Sequence, residues 1–350
     1  MLDWVRVIDT DDNVIYMNTA MSEGLGTHAQ GQKCYEALGR VSPCGNCTSR
    51  KTILDGASYE KEEHIHDRVF SVMSSPLKNK DGDIVAVVEV LRETTRIKEL
   101  YKEMEEQNQK LTNEVRMARD LQMSLLPGPP TDPRLSFSMI YIPCESLGGD
   151  FIDIFYIDDS HLGLYLADVS GHGVQAALLT IFLRSTLNKK LLDPAKALDE
   201  LYYEYNHSKL NQELYIAVFY CIIDLDNKKM AYSNAGLNVV PVVYNDTRFE
   251  LLMLPGIPIS NWMEKPGYVN RTIDLRSGDK LFLYSDGILE MRNRNNEQYG
   301  EDRLLEILLH NHTKPKQLLL NIKKSAFEFA DKKTANDLMD DVTMALLKIT

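Results

Sequence analysis

The sequence predicts an α+β protein: a small α/β domain and a larger antiparallel domain joined by one long helix. Three observations carry that expectation. Residues 1–93 alternate short apolar strands with turn signals; residues 94–126 repeat apolar positions every seven residues without proline or glycine; and from residue 136 onward hairpin-spaced strands are interrupted by two pairs of helical segments. Many short strands with segregated helix pairs are the pattern of an antiparallel α+β layer architecture.

Composition narrows the function classes. The chain has 350 residues, 44% hydrophobic and 26% charged, with a formal net charge of -12. That length suits two domains. The acidic balance argues against a nucleic-acid binder, which needs a basic stripe to neutralise phosphates. No apolar run approaches the roughly 18–20 residues that span a bilayer. The N-terminus lacks the basic-then-apolar pattern of a secretory signal. Five cysteines is an odd number, so reduced thiols and a cytoplasmic location are expected.

In the first domain, Val5-Arg6-Val7-Ile8-Asp9 reads as a strand, Asp11-Asp12-Asn13 as a turn and Val14-Ile15-Tyr16-Met17-Asn18 as the returning strand. Helical stretches follow to about residue 54. Strands return at 59–66, 69–76 and, after the turn Asn79-Lys80-Asp81-Gly82, 84–91. The hairpin ending Tyr16-Met17-Asn18, the stretch Ser75-Pro76-Leu77 followed by Asp81-Gly82, and the exit strand ending Arg92-Glu93-Thr94-Thr95 together resemble a PAS sensor domain over residues 1–93.

In the linker, Val90, Ile97, Met104, Leu111, Ala118 and Leu125 recur every seven residues, and Glu93, Leu100, Gln107, Glu114 and Leu121 fill the second seam. This pattern over 94–126 predicts a coiled coil, hence a homodimer; the alternative is one amphipathic helix packed on its own domain. Pro127-Gly128-Pro129-Pro130 stops the helix. The larger domain is expected over 127–350, with strands at 137–142, 151–157, 162–168, 214–224, 230–235, 239–244, 269–275, 280–285 and 342–349. Its helices are expected at 175–190, 195–210, 301–310 and 316–331.

Four acidic sites in this domain adjoin an apolar strand or a glycine turn: Gly148-Gly149-Asp150 with Asp153 after it, Ala167-Asp168-Val169-Ser170-Gly171-His172-Gly173, Tyr284-Ser285-Asp286-Gly287, and Asp340-Asp341-Val342-Thr343. One Asp-Gly alone is a turn signal. Four carboxylate sites in one domain repel one another unless a cation neutralises them. Oxygen ligands select hard cations, so Mn²⁺ or Mg²⁺ is the expected occupant.

These motifs resemble, in order, the PP2C-like (PPM) phosphatases of the bacterial RsbU/SpoIIE type. The resemblance runs from Ala118-Arg119-Asp120-Leu121-Gln122 and Leu125-Leu126-Pro127, through the acidic motifs and Asn234-Ala235-Gly236, to Ser285-Asp286-Gly287-Ile288-Leu289-Glu290, Tyr299-Gly300 and Asp340-Asp341-Val342-Thr343. It implies an antiparallel β-sandwich flanked by helix pairs, with two metal ions at one edge. It also implies that Asp168 bridges them, that the Val169 carbonyl and Asp150 serve one ion, and that Asp286 and Asp340 complete the set. Asp341 stays open as the alternative ligand, and Asp153 is either a ligand or a turn cap. His172 is either a proton donor to the leaving oxygen or a packing residue. The implied activity is hydrolysis of phosphoserine or phosphothreonine on a partner protein such as an anti-sigma-factor antagonist. A non-catalytic scaffold and a phosphatase for small phosphomonoesters are the rivals.

Two departures matter: Leu237 stands where the family often has histidine, and no arginine precedes Asp150, where larger eukaryotic relatives use one to hold phosphate. Cys144 and Cys221 lack the Cys-x5-Arg loop of a thiol phosphatase. In the first domain, Cys34, Cys44 and Cys47 form C-x9-C-x2-C. They are either a zinc or iron–sulfur site, with His64 or His66 as a further ligand, or a redox site, or three ordinary thiols.

Overall fold

The computed structural model describes residues 3–26, 29–171, 173–208, 213–262, 264, 266–310, 314–332, 334 and 337–350. It divides into two compact units, Met1–Leu111 and Thr112–Thr350.

The first unit is a five-stranded antiparallel sheet in the order β2-β1-β5-β4-β3. Its strands are β1 (Trp4–Asp9), β2 (Val14–Met17), β3 (Tyr59–Ile65), β4 (Arg68–Lys78) and β5 (Ile84–Glu93), with helices α1 (Thr19–Leu25) and α2 (Thr48–Asp55) between β2 and β3. Asn18 opens α1 by accepting from the Met21 N–H at 3.0 Å, and Gly26 ends it at φ +65°. Trp4 and Ile8 alternate inward along β1, and Trp4 stacks on Phe70 with ring centroids 4.5 Å apart. The same alternation places Arg6 inward, a feature not anticipated from the strand pattern. Arg6 is paired across the sheet with Glu89. Its guanidinium contacts the Glu89 carboxylate at 2.7 Å, and Ser49 and Ser74 also donate to that carboxylate. Burial raises the Glu89 pKa, but Arg6, Ser49 and Lys61 outweigh it and hold the group below its ordinary range.

Among the described residues, no three His, Cys, Asp or Glu side chains are placed to hold an ion. Cys34 is buried in a small apolar cluster with Ile8, Val14 and Ala37, and burial pushes its thiol up to about 11. The sulfur of Cys44 accepts from Arg40 at 3.1 Å, and Cys47 precedes α2 as its N-cap. His64 lies on β3, exposed beside Glu62, whereas His66 lies past the strand end at φ +53°.

Helix α3 (Thr95–Ser124) runs thirty residues. Its seam residues Ile97, Leu100, Met104, Leu111 and Leu121 are all exposed.

The second unit stacks two five-stranded antiparallel sheets. One has the order β13-β10-β9-β8-β7 and the other β12-β11-β14-β15-β6. In chain order the elements are β6 (Leu135–Ile142), β7 (Phe151–Tyr156), β8 (His161–Val169), α4 (Gly173–Thr186), α5 (Pro194–His207), β9 (Ile216–Asp224), β10 (Lys229–Ala235), β11 (Val242–Tyr244), β12 (Phe249–Leu251), β13 (Arg271–Asp274), β14 (Lys280–Tyr284), α6 (Gly300–His310), α7 (Pro315–Phe329) and β15 (Val342–Ile349). Strand β9 is buried on both faces, which explains its unbroken apolar run. Phe219, Cys221 and Ile223 face the second sheet with Leu162, Leu164 and Leu166. Val218, Tyr220 and Ile222 face α4 and α5 with Tyr165 and Ala167. Leu304, Leu308, Leu318 and Ile322 of α6 and α7 cover the other side of the sandwich. The result is the sandwich flanked by helix pairs that the sequence predicts.

Candidate active site

The site forms where two strand pairs end. β7 and β8 set Phe151 opposite Ala167. One step further, the same register sets Asp150 opposite Asp168, and the Val169 N–H donates to the Gly149 carbonyl at 3.2 Å. In the other sheet β14 and β15 set Tyr284 opposite Met344, and the Ser285 N–H donates to the Thr343 carbonyl at 2.9 Å. Asp286 therefore leaves β14 beside the point where Asp340 and Asp341 enter β15. Both pairs of ends open on one edge of the sandwich, and the aspartates feel one another's charge.

That mutual charge shifts their acidity. Asp168 is pushed up to about 8, first by burial and then by Asp286, Asp340 and Asp341. Asp150 lies well above the ordinary carboxylate range because it is buried, with Asp168 and Asp341 adding to the effect. Burial also raises Asp340, reinforced by Asp286 and Asp341. Like charges opposed across strand ends destabilise a fold unless a cation neutralises them.

Asp341 does a different job from its neighbour. Its Oδ1 accepts from the Cys144 N–H at 2.8 Å, and its Oδ2 from the N–H groups of Gly149 at 2.6 Å and Asp150 at 3.1 Å. A carboxylate filled by three backbone donors anchors a loop. Asp340 accepts from the Asp341 N–H through Oδ1 at 2.8 Å. Two glycines are required by these approaches. A Cβ on Gly149 would lie 2.8 Å from the Val169 carbonyl oxygen, and one on Gly287 would lie 2.0 Å from the Asp341 carbonyl oxygen.

Asp153 belongs elsewhere. It shares the inward face of β7 with Phe151, toward α4, and ion-pairs with Lys189 at 2.5 Å and Arg184 at 3.5 Å. It is neither a site carboxylate nor a turn cap. His172 lies outside the described residues. Cys144 is unsuited to nucleophilic chemistry: burial, then the Asp341 charge, pushes its thiol up to about 12.

The fit of divalent cations can be tested on the residues present. The donors are all oxygens. Asp150 Oδ2 is buried without a hydrogen-bond partner, and the bare Gly149 leaves the Val169 and Gly171 carbonyl oxygens close to the loop. Charge and donor type fit Mn²⁺ or Mg²⁺. As placed, no three of the acidic side chains among the described residues converge on one point.

Four features were not anticipated. Asn238 donates to Asp286 Oδ2 at 3.0 Å, presented by a turn in which Asn234 accepts from the Leu237 N–H at 2.9 Å. Leu237 itself is core, so the residue replacing the family's histidine packs and does not face the carboxylates. Gln122, near the end of α3, is buried; its side chain accepts from the Gly148 N–H at 3.1 Å and donates to the Gly148 carbonyl at 2.9 Å. Finally, a cleft of 300 Å³ beside Asp340 and Gly287 is lined by Glu290, Arg292 and Lys332, which place cations near the site despite the missing upstream arginine. Of these residues, Asn238, Arg292 and Lys332 fell outside the motifs already singled out.

Residues 158–350 match the family described as Stage II sporulation protein E (SpoIIE), and residues 1–99 match the PAS fold. The chain belongs to the SpoIIE family. Among curated relatives, it is 24% identical over 263 residues to Protein IcfG of Synechocystis sp., covering 66% of this chain and 40% of that protein. It is 26% identical over 183 residues to the phosphoserine phosphatase RsbP of Bacillus subtilis, covering 51% and 45%. To the phosphoserine phosphatase RsbU of Bacillus subtilis it is 25% identical over 247 residues, covering 69% and 71%. The chain thus spans less than half the length of two of these relatives. The SiaA-PP2C domain of Pseudomonas aeruginosa superposes with a TM-score of 0.62 at 18% identity, covering 69% of this chain and 98% of that one. The second unit therefore has the PP2C-type fold and the first the PAS fold. Among the described residues no helix is long and apolar enough to cross a membrane.

Proposed function

We propose that this chain is a metal-dependent protein serine/threonine phosphatase whose activity is set by its PAS unit. The observation that supports it most is the group of mutually charged aspartates, Asp150, Asp168, Asp286 and Asp340, at one edge of a PP2C-type sandwich. Asp168, the Val169 carbonyl, Asp150, Asp286 and Asp340 would hold two Mn²⁺ or Mg²⁺ ions. Such ions supply Lewis-acid charge neutralisation and a more acidic water for in-line attack on phosphorus. The protein's own part is positioning. Asp341 fixes the Gly149-Asp150 loop through backbone N–H groups, Asn238 orients Asp286, and the raised Cys144 thiol leaves no nucleophile competing with water. The substrate class is a phosphorylated signalling protein of the anti-sigma-factor-antagonist kind, in line with the RsbU and RsbP relatives. The reading is tested by phosphate release from phosphoserine proteins and from p-nitrophenyl phosphate. Release should stop in EDTA and return with Mn²⁺ or Mg²⁺; full turnover by metal-stripped protein would refute it.

Regulation would run through α3. The exposed seam of Ile97, Leu100, Met104 and Leu111 is expected to pair with a second copy in a parallel coiled coil, while Gln122 ties the helix end to Gly148. Gln107 and Glu114 weaken the seam and bring two packings close in energy. The protein should be dimeric by light scattering, and residues 127–350 largely monomeric. Replacing Gln107 and Glu114 by Leu should hold one state and make activity insensitive to the PAS unit. A monomeric full chain, or a double variant with unchanged response, contradicts this arrangement.

A further inference from the structure

The chain has two tryptophans. Trp4 is buried in the PAS core, whereas Trp262 is 57% exposed. An exposed tryptophan is unusual enough on a soluble surface to ask what holds it there. The segment before it is built rigidly: Ile259 and Ile216 exchange two backbone hydrogen bonds of 2.9 Å, both residues are fully buried, and Ser260 is 1% exposed. The Trp262 ring packs on Tyr215, with centroids 5.3 Å apart and planes at 56°. Tyr215 in turn is tied to the loop that follows Asp168. Its carbonyl accepts from the Ser170 N–H at 3.0 Å, and its own N–H donates to Ser170 Oγ at 2.8 Å. Asp168, Asp286 and Asp340 all act on the Tyr215 phenol, raising its pKa beyond the effect of burial.

We infer that Tyr215 and Trp262 form an aromatic shelf beside the carboxylates that receives an apolar side chain flanking the phosphoserine of the substrate protein. The inference rests on the phosphatase reading and adds a specificity element to it. The surroundings select the occupant. The neighbouring carboxylates would be taken up with metal and phosphate, while the shelf presents two rings on a buried base. Aromatic anchors with a rigid base are the pattern of a binding hot spot. An apolar contact of this kind discriminates by about 10-fold or more. The contact is made outside the reacting centre, so its loss falls mainly on KM.

The test uses the full chain with Mn²⁺ and two phosphoserine peptides that differ only in leucine or glycine next to the phosphoserine. Wild-type protein should favour the leucine peptide by about 10-fold in kcat/KM. Trp262→Ala should bring that ratio close to one, chiefly by raising KM for the leucine peptide, and Trp262→Phe should restore part of it. Equal turnover of both peptides by the wild type, or an undiminished ratio in Trp262→Ala, overturns the shelf. If the alanine variant does not fold, the graded Phe variant carries the same comparison. Loss of all metal-dependent turnover by the wild type, p-nitrophenyl phosphate included, would instead remove the phosphatase reading and this inference with it.

Discussion

Asp168→Asn is expected to abolish phosphate release while raising the thermal stability of the metal-free protein. The two effects have one cause. Asp168 is pushed up to about 8 because it is buried and faces Asp286, Asp340 and Asp341. Its charged form is thus unfavourable in the folded state near neutral pH. An Asn keeps the shape and removes the charge, so the folded state is relieved by an amount on the order of a few kcal/mol. The same change removes the carboxylate that would bridge two cations, and with it the means of neutralising the developing phosphoryl charge. Losses of 10³-fold or more in turnover are expected for removal of a central electrostatic element. Thermal melts with and without Mn²⁺ separate the two effects. Wild type should gain stability on adding metal, since a ligand bound only by the folded state stabilises it. Asp168→Asn should start higher and gain little. A variant that keeps both the metal-induced gain and the activity would exclude Asp168 from the site.

The site was legible in sequence because of where its carboxylates fall. Each of Asp150, Asp168, Asp286 and Asp340 ends or begins an apolar strand, and strand ends in a sandwich gather at its edges. Asp153 stayed open between a ligand and a turn cap; period two along β7 turns it toward α4, where Arg184 and Lys189 neutralise it. The spacing between cysteines left its alternatives open. Cys34 is inside the apolar cluster of the PAS sheet, and a Cys-x2-Cys turn makes a metal site only if the rest of the ligand set converges. Long-range hydrogen bonds were the least accessible. The Gln122 contacts with Gly148 span 26 positions and the Asp341 contacts span about 190, and no local pattern encodes such pairings. Strand β12 escaped because three residues are too few for periodicity to register. Inward Arg6 escaped because alternation reports a face and not its charge.

Asp340 and Asp341 adjoin in sequence, and substitution of each to Ala is expected to fail in opposite ways. Asp341 accepts from the N–H groups of Cys144, Gly149 and Asp150, and it is 4% exposed. Asp341→Ala strands those donors in a buried loop, at roughly 1–3 kcal/mol for each one that stays unpaired. A total of about 3–5 kcal/mol would lower the melting temperature by about 10 °C for a domain of this size. The Gly149-Asp150 loop would loosen as well, so activity should fall together with stability. Asp340 is exposed, and its carboxyl is raised by burial of its inner part and by Asp286 and Asp341. Asp340→Ala removes one like charge and strands only the Asp341 N–H, so stability should change by less than about 1 kcal/mol. Activity should nevertheless fall about 10²-fold or more, with part of the loss recovered at high Mn²⁺ as a weakened site refills. The check is a paired measurement: melting temperature in EDTA, and phosphate release against Mn²⁺ concentration, for both variants. If Asp341→Ala melts like wild type and shows the manganese-dependent rescue, the two roles are reversed and Asp341 is the ligand.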